Sequence, residues 1–182
     1  MDKIIITATS QVTEADLKSA RLGMRFGRLD LSSQLALLAV EWLGVDFGQF
    51  SRDRIAICLA AHAGSLSTDF DFWQGRDAVG GPSPTLFAYT LPSAAIGEIA
   101  IRHRLTGPNL CFVGDDKLLL PEATDLIQRG EADGCVCVYC DVVNAAAAKM
   151  IQAPPAARAS AFFLRREKLV QPRRIDEATM LL

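Results

Sequence analysis

The sequence lacks the features that would place it outside the ordinary globular class. No apolar run approaches the roughly 18 residues of a membrane-spanning helix. Neither sign of charge dominates: 19 Lys and Arg stand against 21 Asp and Glu, a net charge of -2. There is thus no overall electrostatic footprint for nucleic acid or an anionic membrane. Only two histidines are present, which leaves little material for acid–base chemistry near neutral pH. The start, Met1-Asp2-Lys3 followed by Ile4 to Ile6, reads as an immediate strand. It does not have the basic start, apolar core and small-residue cleavage site of a secretory signal, so the expected location is the cytoplasm. The five cysteines are an odd number, which no complete disulfide framework can use. All five (Cys58, Cys111, Cys135, Cys137, Cys140) lie in apolar, strand-like runs, so they are expected as buried, reduced thiols.

What is present is a core-forming chain of 182 residues, 50% hydrophobic and 22% charged, the size of one domain. Ile4 to Ala8 is a β-branched run and reads as the first strand. A short helix is expected from Glu14 to Leu22. Asp30 or Ser32 can cap the next helix, on which Leu35, Leu38, Ala39, Trp42 and Leu43 recur at helical spacing before Gly44. Arg54 to Ala61 is apolar on both faces, as a covered parallel strand should be. A helix carrying Phe70, Phe72 and Trp73 follows, and these three aromatics are expected in the core. Leu86 to Thr90 is bracketed by Pro84 and Pro92 and is not expected to join a helix cleanly at either end. Ser93 to Leu105 is amphipathic, with Ala94, Ile96, Gly97, Ala100 and Ile101 inward. Leu110 to Val113 is a strand, Leu119 to Gln128 a helix, Cys135 to Val143 a strand and Ala159 to Arg165 the last strand. This order predicts an α/β sandwich with a mostly parallel sheet.

In such sheets chemistry sits just past the carboxyl ends of strands. The turn at Gly114-Asp115-Asp116-Lys117 is therefore where a reactive group belongs. Carboxylates there favour a helix start and would oppose a thiolate or carbanion. Cys111, two residues inside the strand, is expected to point into a layer. Cys135-x-Cys137-x-x-Cys140 has the residue type of a metal site but is expected as a core strand, because Cys135 and Cys137 share one strand face, Cys140 takes the other, and no second pair lies nearby to close a tetrahedral site. No metal and no cofactor is expected. His62, at a strand end, is expected as a hydrogen-bonded structural residue.

Several stretches taken in order resemble the N-terminal half of β-ketoacyl synthases, which have the thiolase fold. Arg28-Leu29-Asp30, with Gln34 and Ala36, looks like that family's Arg-x-Asp-x-x-x-Gln-x-Ala helix start. Ser83-Pro84 through Leu91-Pro92-Ser93-Ala94-Ala95-Ile96-Gly97-Glu98-Ile99-Ala100 and Leu105-Thr106-Gly107-Pro108-Asn109 is the most specific match. Glu122-Ala123 with Leu126 to Asp133 resembles the segment after the family's nucleophile, and Ala157 to Leu164 its closing strand. The resemblance covers residues 1–166 as one domain and leaves 167–182 as a charged tail expected to pack loosely. It implies a single thiolase-like half-domain: a five-stranded, mostly parallel sheet with the last strand antiparallel and helices on both faces.

The chain departs from the pattern where catalysis would occur. The family's acyl-accepting cysteine belongs at the turn after the strand, and Gly114, Asp115 and Asp116 stand there instead. The two catalytic histidines come from a second half, and neither His62 nor His103 matches them. The resemblance therefore implies a non-catalytic subunit in the manner of chain-length factors, a partner or scaffold in fatty-acid-like or polyketide-like biosynthesis. The alternatives are a condensing enzyme or acyltransferase active only with a partner chain, and an acyl-chain binding module. Implied partners are a second copy or a ketosynthase, with an acyl carrier protein besides. Leu86, Phe87 and Tyr89 are expected at the dimer interface or acyl pocket, and Leu110, Cys111, Phe112 and Val113 form the expected interface edge.

Overall fold

In the computed structural model, residues 3–167 are described, except 24 and 78; the expected tail over 168–182 lies outside the described residues. Strand β1 spans Ile4–Thr13, twice the length expected from Ile4 to Ala8. Its second part alternates polar and apolar residues, as an edge strand does. Val12 is buried while Gln11 and Thr13 face solvent, a period-2 pattern without a hydrophobic run. The helix expected after it is only a single 3-10 turn, Glu14–Lys18, closed by a capping box between Thr13 and Asp16.

Helix α1, Leu31–Trp42, starts where Asp30 supplies its cap. One carboxylate oxygen of Asp30 accepts from the Ser33 amide at 3.1 Å, and the other accepts from the Thr68 hydroxyl at 2.9 Å. Gln34 Nε2 donates to the carbonyls of Phe26 and Leu29. The Asp30–Gln34 spacing thus fixes the loop entering α1, a structural use of that motif. Strand β2, Ile55–Ala61, is buried at every position. Helix α2 is Leu66–Gln74.

A one-turn helix α3, Pro84–Phe87, follows. Pro84 does join a helix, because at the first helical position its missing amide has no bond to lose, and Ser83 caps the turn by accepting from the Leu86 amide. Helix α4 is Ala94–His103, with Ala95, Ile96 and Ile99 buried. Its inward stripe lies one residue away from the expected one: Gly97 is exposed and Ile101 is 60% exposed. Strand β3 is Asn109–Val113, helix α5 Leu119–Gln128, strand β4 Gly134–Val143, helix α6 Ala145–Ile151 and strand β5 Ala156–Arg166.

The strands form one five-stranded sheet in the order β1-β5-β4-β2-β3. β2 runs parallel to β3 and β4, and β5 runs antiparallel to β4 and β1. The last strand is therefore the antiparallel one, as expected. Helices α1 and α4 cover one face over Ile57, Leu59, Val136, Val138 and Phe163. Helix α5 covers part of the other face, over Ala56, Cys58, Ala60, Cys135 and Cys137. Both sheet edges, β1 and β3, are bare of any further strand among the described residues.

Candidate functional site

The carboxyl ends of β2 and β3 meet at the turn after Val113. Gly114 turns the chain with φ of 129°, and its amide donates to the Ala61 carbonyl at 3.0 Å. Asp115 then caps a 3-10 turn, accepting from the Lys117 amide at 3.2 Å and from Lys117 Nζ at 2.6 Å. Hydrogen bonds from Lys117 hold its carboxyl below the usual range. Asp115 is a neutralised cap, and Asp116 is exposed beside it. Neither carries chemistry of the thiol-transfer kind, which needs a thiolate at the positive end of a helix.

Cys111 corrects the sequence expectation. It is exposed, because among the described residues no element covers its face of the edge strand β3. It pairs with Leu59, which belongs to the face packed by α1 and α4. Leu110 and Phe112 face the α5 side instead. The thiol therefore lies on the sheet face opposite α5 and gains nothing from that helix's N-terminus. Partial desolvation pushes its pKa up, the reverse of an activated nucleophile.

The other four thiols are buried, as expected. Three of them form a cluster that sequence spacing concealed, because the third member comes from a neighbouring strand. Cys58 Sγ lies 3.5 Å from Cys135 Sγ, which lies 3.8 Å from Cys137 Sγ. Burial pushes the Cys137 thiol up, and the Cys135 thiol is raised by its thiol neighbours and by burial. On the opposite face, burial pushes Cys140 up to about 12. Among the described residues no group of three or more metal-ligating side chains is arranged to hold a metal ion.

The two histidines are apart. His62 follows β2, and its amide donates to the Cys140 carbonyl at 2.9 Å. Its Nδ1 is buried without a hydrogen-bond partner, so the side chain is not the satisfied group expected. His103 ends α4, edge-on to Phe47 at 5.0 Å, and burial lowers its pKa.

Leu86, Phe87 and Tyr89 do not share a pocket. Tyr89 turns inward and its hydroxyl donates to Glu98 Oε1 at 3.2 Å. Leu86 lines a cleft of about 540 Å³ with Asp30, Thr68, Asp71 and Asn144. Phe87 is 63% exposed and packs on Phe72 at a ring separation of 5.5 Å. It walls an open apolar groove of about 470 Å³ with Leu66, Phe70, Trp73 and Met150. Trp73, expected in the core, is 62% exposed. Leu91 and Val113 are further exposed apolar residues, at 65% and 69%. Pro92 and Val113 meet over Gly64, at φ +60°, where a Cβ would touch both at 3.4 Å. The candidate site is thus a strand edge without a strand partner among the described residues, with exposed apolar residues near it and a turn that carries Gly114, Asp115 and Asp116. Its exposure could not be read from sequence, since an apolar residue gives no sign of whether its layer is covered.

No protein-family model matches the chain, and no curated protein matches it. Solved structures do. The ishigamide ketosynthase/chain length factor superposes with a TM-score of 0.74 at 21% identity, over 93% of this chain and 64% of that one. A ketosynthase (ApeO) in complex with its chain length factor (ApeC) from Xenorhabdus doucetiae gives 0.68 at 18%, over 92% and 80%. A type II polyketide synthase acyl-carrier protein complex with its ketosynthase gives 0.73 at 13%, over 92% and 63%. The chain spans less than two thirds of the first and third of these. It has the thiolase-like half-domain fold found in ketosynthase and chain-length-factor structures.

Proposed function

We propose that this chain is a non-catalytic, ketosynthase-like subunit that serves as partner or scaffold in polyketide-like or fatty-acid-like biosynthesis. The observation that carries the reading is the strand-end turn. Asp115 fills it, tied to Lys117 at 2.6 Å, while Cys111 faces away from α5 with a raised pKa. The likeness of the fold to ketosynthase and chain-length-factor structures supports the pathway class. Association runs through β3. Its amides and carbonyls on the outer side have no strand partner among the described residues, and such an edge accepts another strand. The partner is a ketosynthase or a second copy.

The two partners give different results with one reagent. Cys111 is the middle residue of β3, Asn109–Val113. Two-fold antiparallel pairing of two copies about that centre would bring the two Cys111 residues to about 4.5–5.5 Å between Cα atoms, within disulfide reach. Mild oxidation should therefore link a homodimer covalently and leave Cys111→Ser unlinked. A ketosynthase partner should co-purify with the chain and protect Cys111 from a maleimide. A chain that stays monomeric at micromolar concentration and ignores a type II ketosynthase would sink the reading.

A further inference from the structure

The cleft of about 540 Å³ beside Leu86 plays no part in the strand-edge site. Val142 and Ala157 place it on the sheet face packed by α1, where β4 ends and β5 begins. Leu31, Leu86 and Pro155 complete most of its apolar lining, and Glu14, Asp30, Ser67, Thr68, Asp71 and Asn144 supply the polar part. A cavity of this volume suits a small organic molecule.

Every side-chain donor in that lining is already spent inside the protein. Ser67 donates to the Val142 carbonyl at 3.1 Å, and Thr68 donates to Asp30 at 2.9 Å. Asn144 Nδ2 donates to the Ser67 carbonyl at 3.1 Å and to Asp71 Oδ1 at 3.3 Å. The three carboxylates remain as acceptors, and none of them has an ion pair among the described residues. No lysine, arginine or histidine lines the cleft. Arg158, next to Ala157 in sequence, takes the other face of the strand and is bound to Asp141 at 2.8 Å. Asp30 gives part of its charge to the start of α1, where it accepts from the Ser33 amide. Asp71, in the second turn of α2, has no such use, and burial raises its pKa.

We propose that this cleft binds a small organic cation: an amine whose ammonium group donates to Asp71, Glu14 and Asp30 while its apolar body lies on Leu31, Leu86 and Val142. A cavity that offers acceptors and negative charge, but no free side-chain donor, selects a ligand that brings donors and positive charge. The apolar lining selects a carbon skeleton as well. A bare metal ion is the poorer occupant, because among the described residues no group of three ligating side chains is gathered to hold one. An oxyanion would meet three carboxylates without a counter-charge. The site is separate from the β3 edge and does not rest on the proposed association.

Isothermal titration calorimetry on the full chain tests this with phenethylamine as the probe. Phenethyl alcohol and phenylacetate, which carry the same ring with a neutral or negative head, are the controls. Phenethylamine should bind, and both controls should bind at least about tenfold more weakly. The double variant Glu14→Gln/Asp71→Asn should raise the phenethylamine Kd about tenfold or more. Both residues are exposed, so an unchanged thermal melt separates lost binding from lost folding, whereas Asp30 is left intact because it caps α1. Leu86→Ala should weaken binding too. Asp69→Asn, in the neighbouring aromatic groove, should leave it unchanged and so fix the location. Equal binding by wild type and the double variant overturns the proposal, as does absence of phenethylamine binding at millimolar concentration. Tighter binding of phenylacetate, spermidine or magnesium ion than of phenethylamine also overturns it.

Discussion

Val113→Lys separates association from folding. Val113 is 69% exposed at the carboxyl end of the edge strand, so the isolated subunit gains little from it. An exposed substitution of this kind changes stability by about 0.5 kcal/mol or less, and the melting temperature should move by only about 2 °C. In the proposed β3-paired state the valine would be covered. The exposed part of a valine is on the order of 100 Å², and at about 25 cal/mol per Å² its burial contributes ~2.5 kcal/mol. That corresponds to about 50- to 100-fold in Kd for each protomer that presents it. A lysine must also be desolvated there, and edge lysines are a standard block to strand addition. Analytical ultracentrifugation of the wild type and the variant, alone and with a ketosynthase, reads the effect. If the variant melts with the wild type and still associates with the wild-type Kd, β3 is not the interface and the reasoning fails.

Three further outcomes follow from the packing. Gly107→Ala should cost more than about 3 kcal/mol or prevent folding, because a Cβ there would sit 2.7 Å from the Ile55 carbonyl carbon and 3.0 Å from the Asp53 carbonyl oxygen; expression level and a urea melt check it, and a stable variant would contradict the geometry. A disulfide reagent should modify one thiol rapidly in the native protein and five in denaturant. The fast one is Cys111, since the other four are buried; its rate should lag a free cysteine at neutral pH because its pKa is raised, and two fast thiols would show that α5 opens. His103 is held neutral by burial, with its pKa lowered. The unfolded chain, with its histidine near 6.5, takes up the proton first as pH falls. Stability should therefore be full above about pH 6.5 and decline below it, more in the wild type than in His103→Asn, by urea melts across pH.

The order of elements was legible because each carries its own signal. Asp30 before a helical stripe marked α1, the unbroken apolar run of β2 marked a strand covered on both faces, and the apolar run Leu110 to Val113 after Gly107-Pro108-Asn109 marked β3, which starts one residue earlier at Asn109. Three things were not legible. β1 continues through Thr9, Ser10 and Gln11 because it pairs with β5 along its whole length, and pairing partners are not encoded locally. The inward stripe of α4 is offset because Ile101 faces the groove beside residues 22–29, a contact between segments far apart in sequence. Cys111 and Trp73 were expected to be buried from their apolar neighbours. Both lie where, among the described residues, the sheet and α2 have no covering layer, and hydrophobic character reports what a residue would bury against without supplying the partner. That no cysteine stands at positions 114–116 was readable, because residue identity alone decides it. The opposite orientation of Cys111 needed its register with Leu59.

The non-catalytic reading rests on whether any thiol of this chain accepts an acyl group. Intact-protein mass spectrometry after incubation with an acyl-carrier thioester, alone and with a ketosynthase present, answers it. The expected result is an unmodified chain in both samples, with any acyl group found on the ketosynthase. A stable adduct on Cys111 that is lost in Cys111→Ala would contradict it and make this chain an acyl-transfer enzyme.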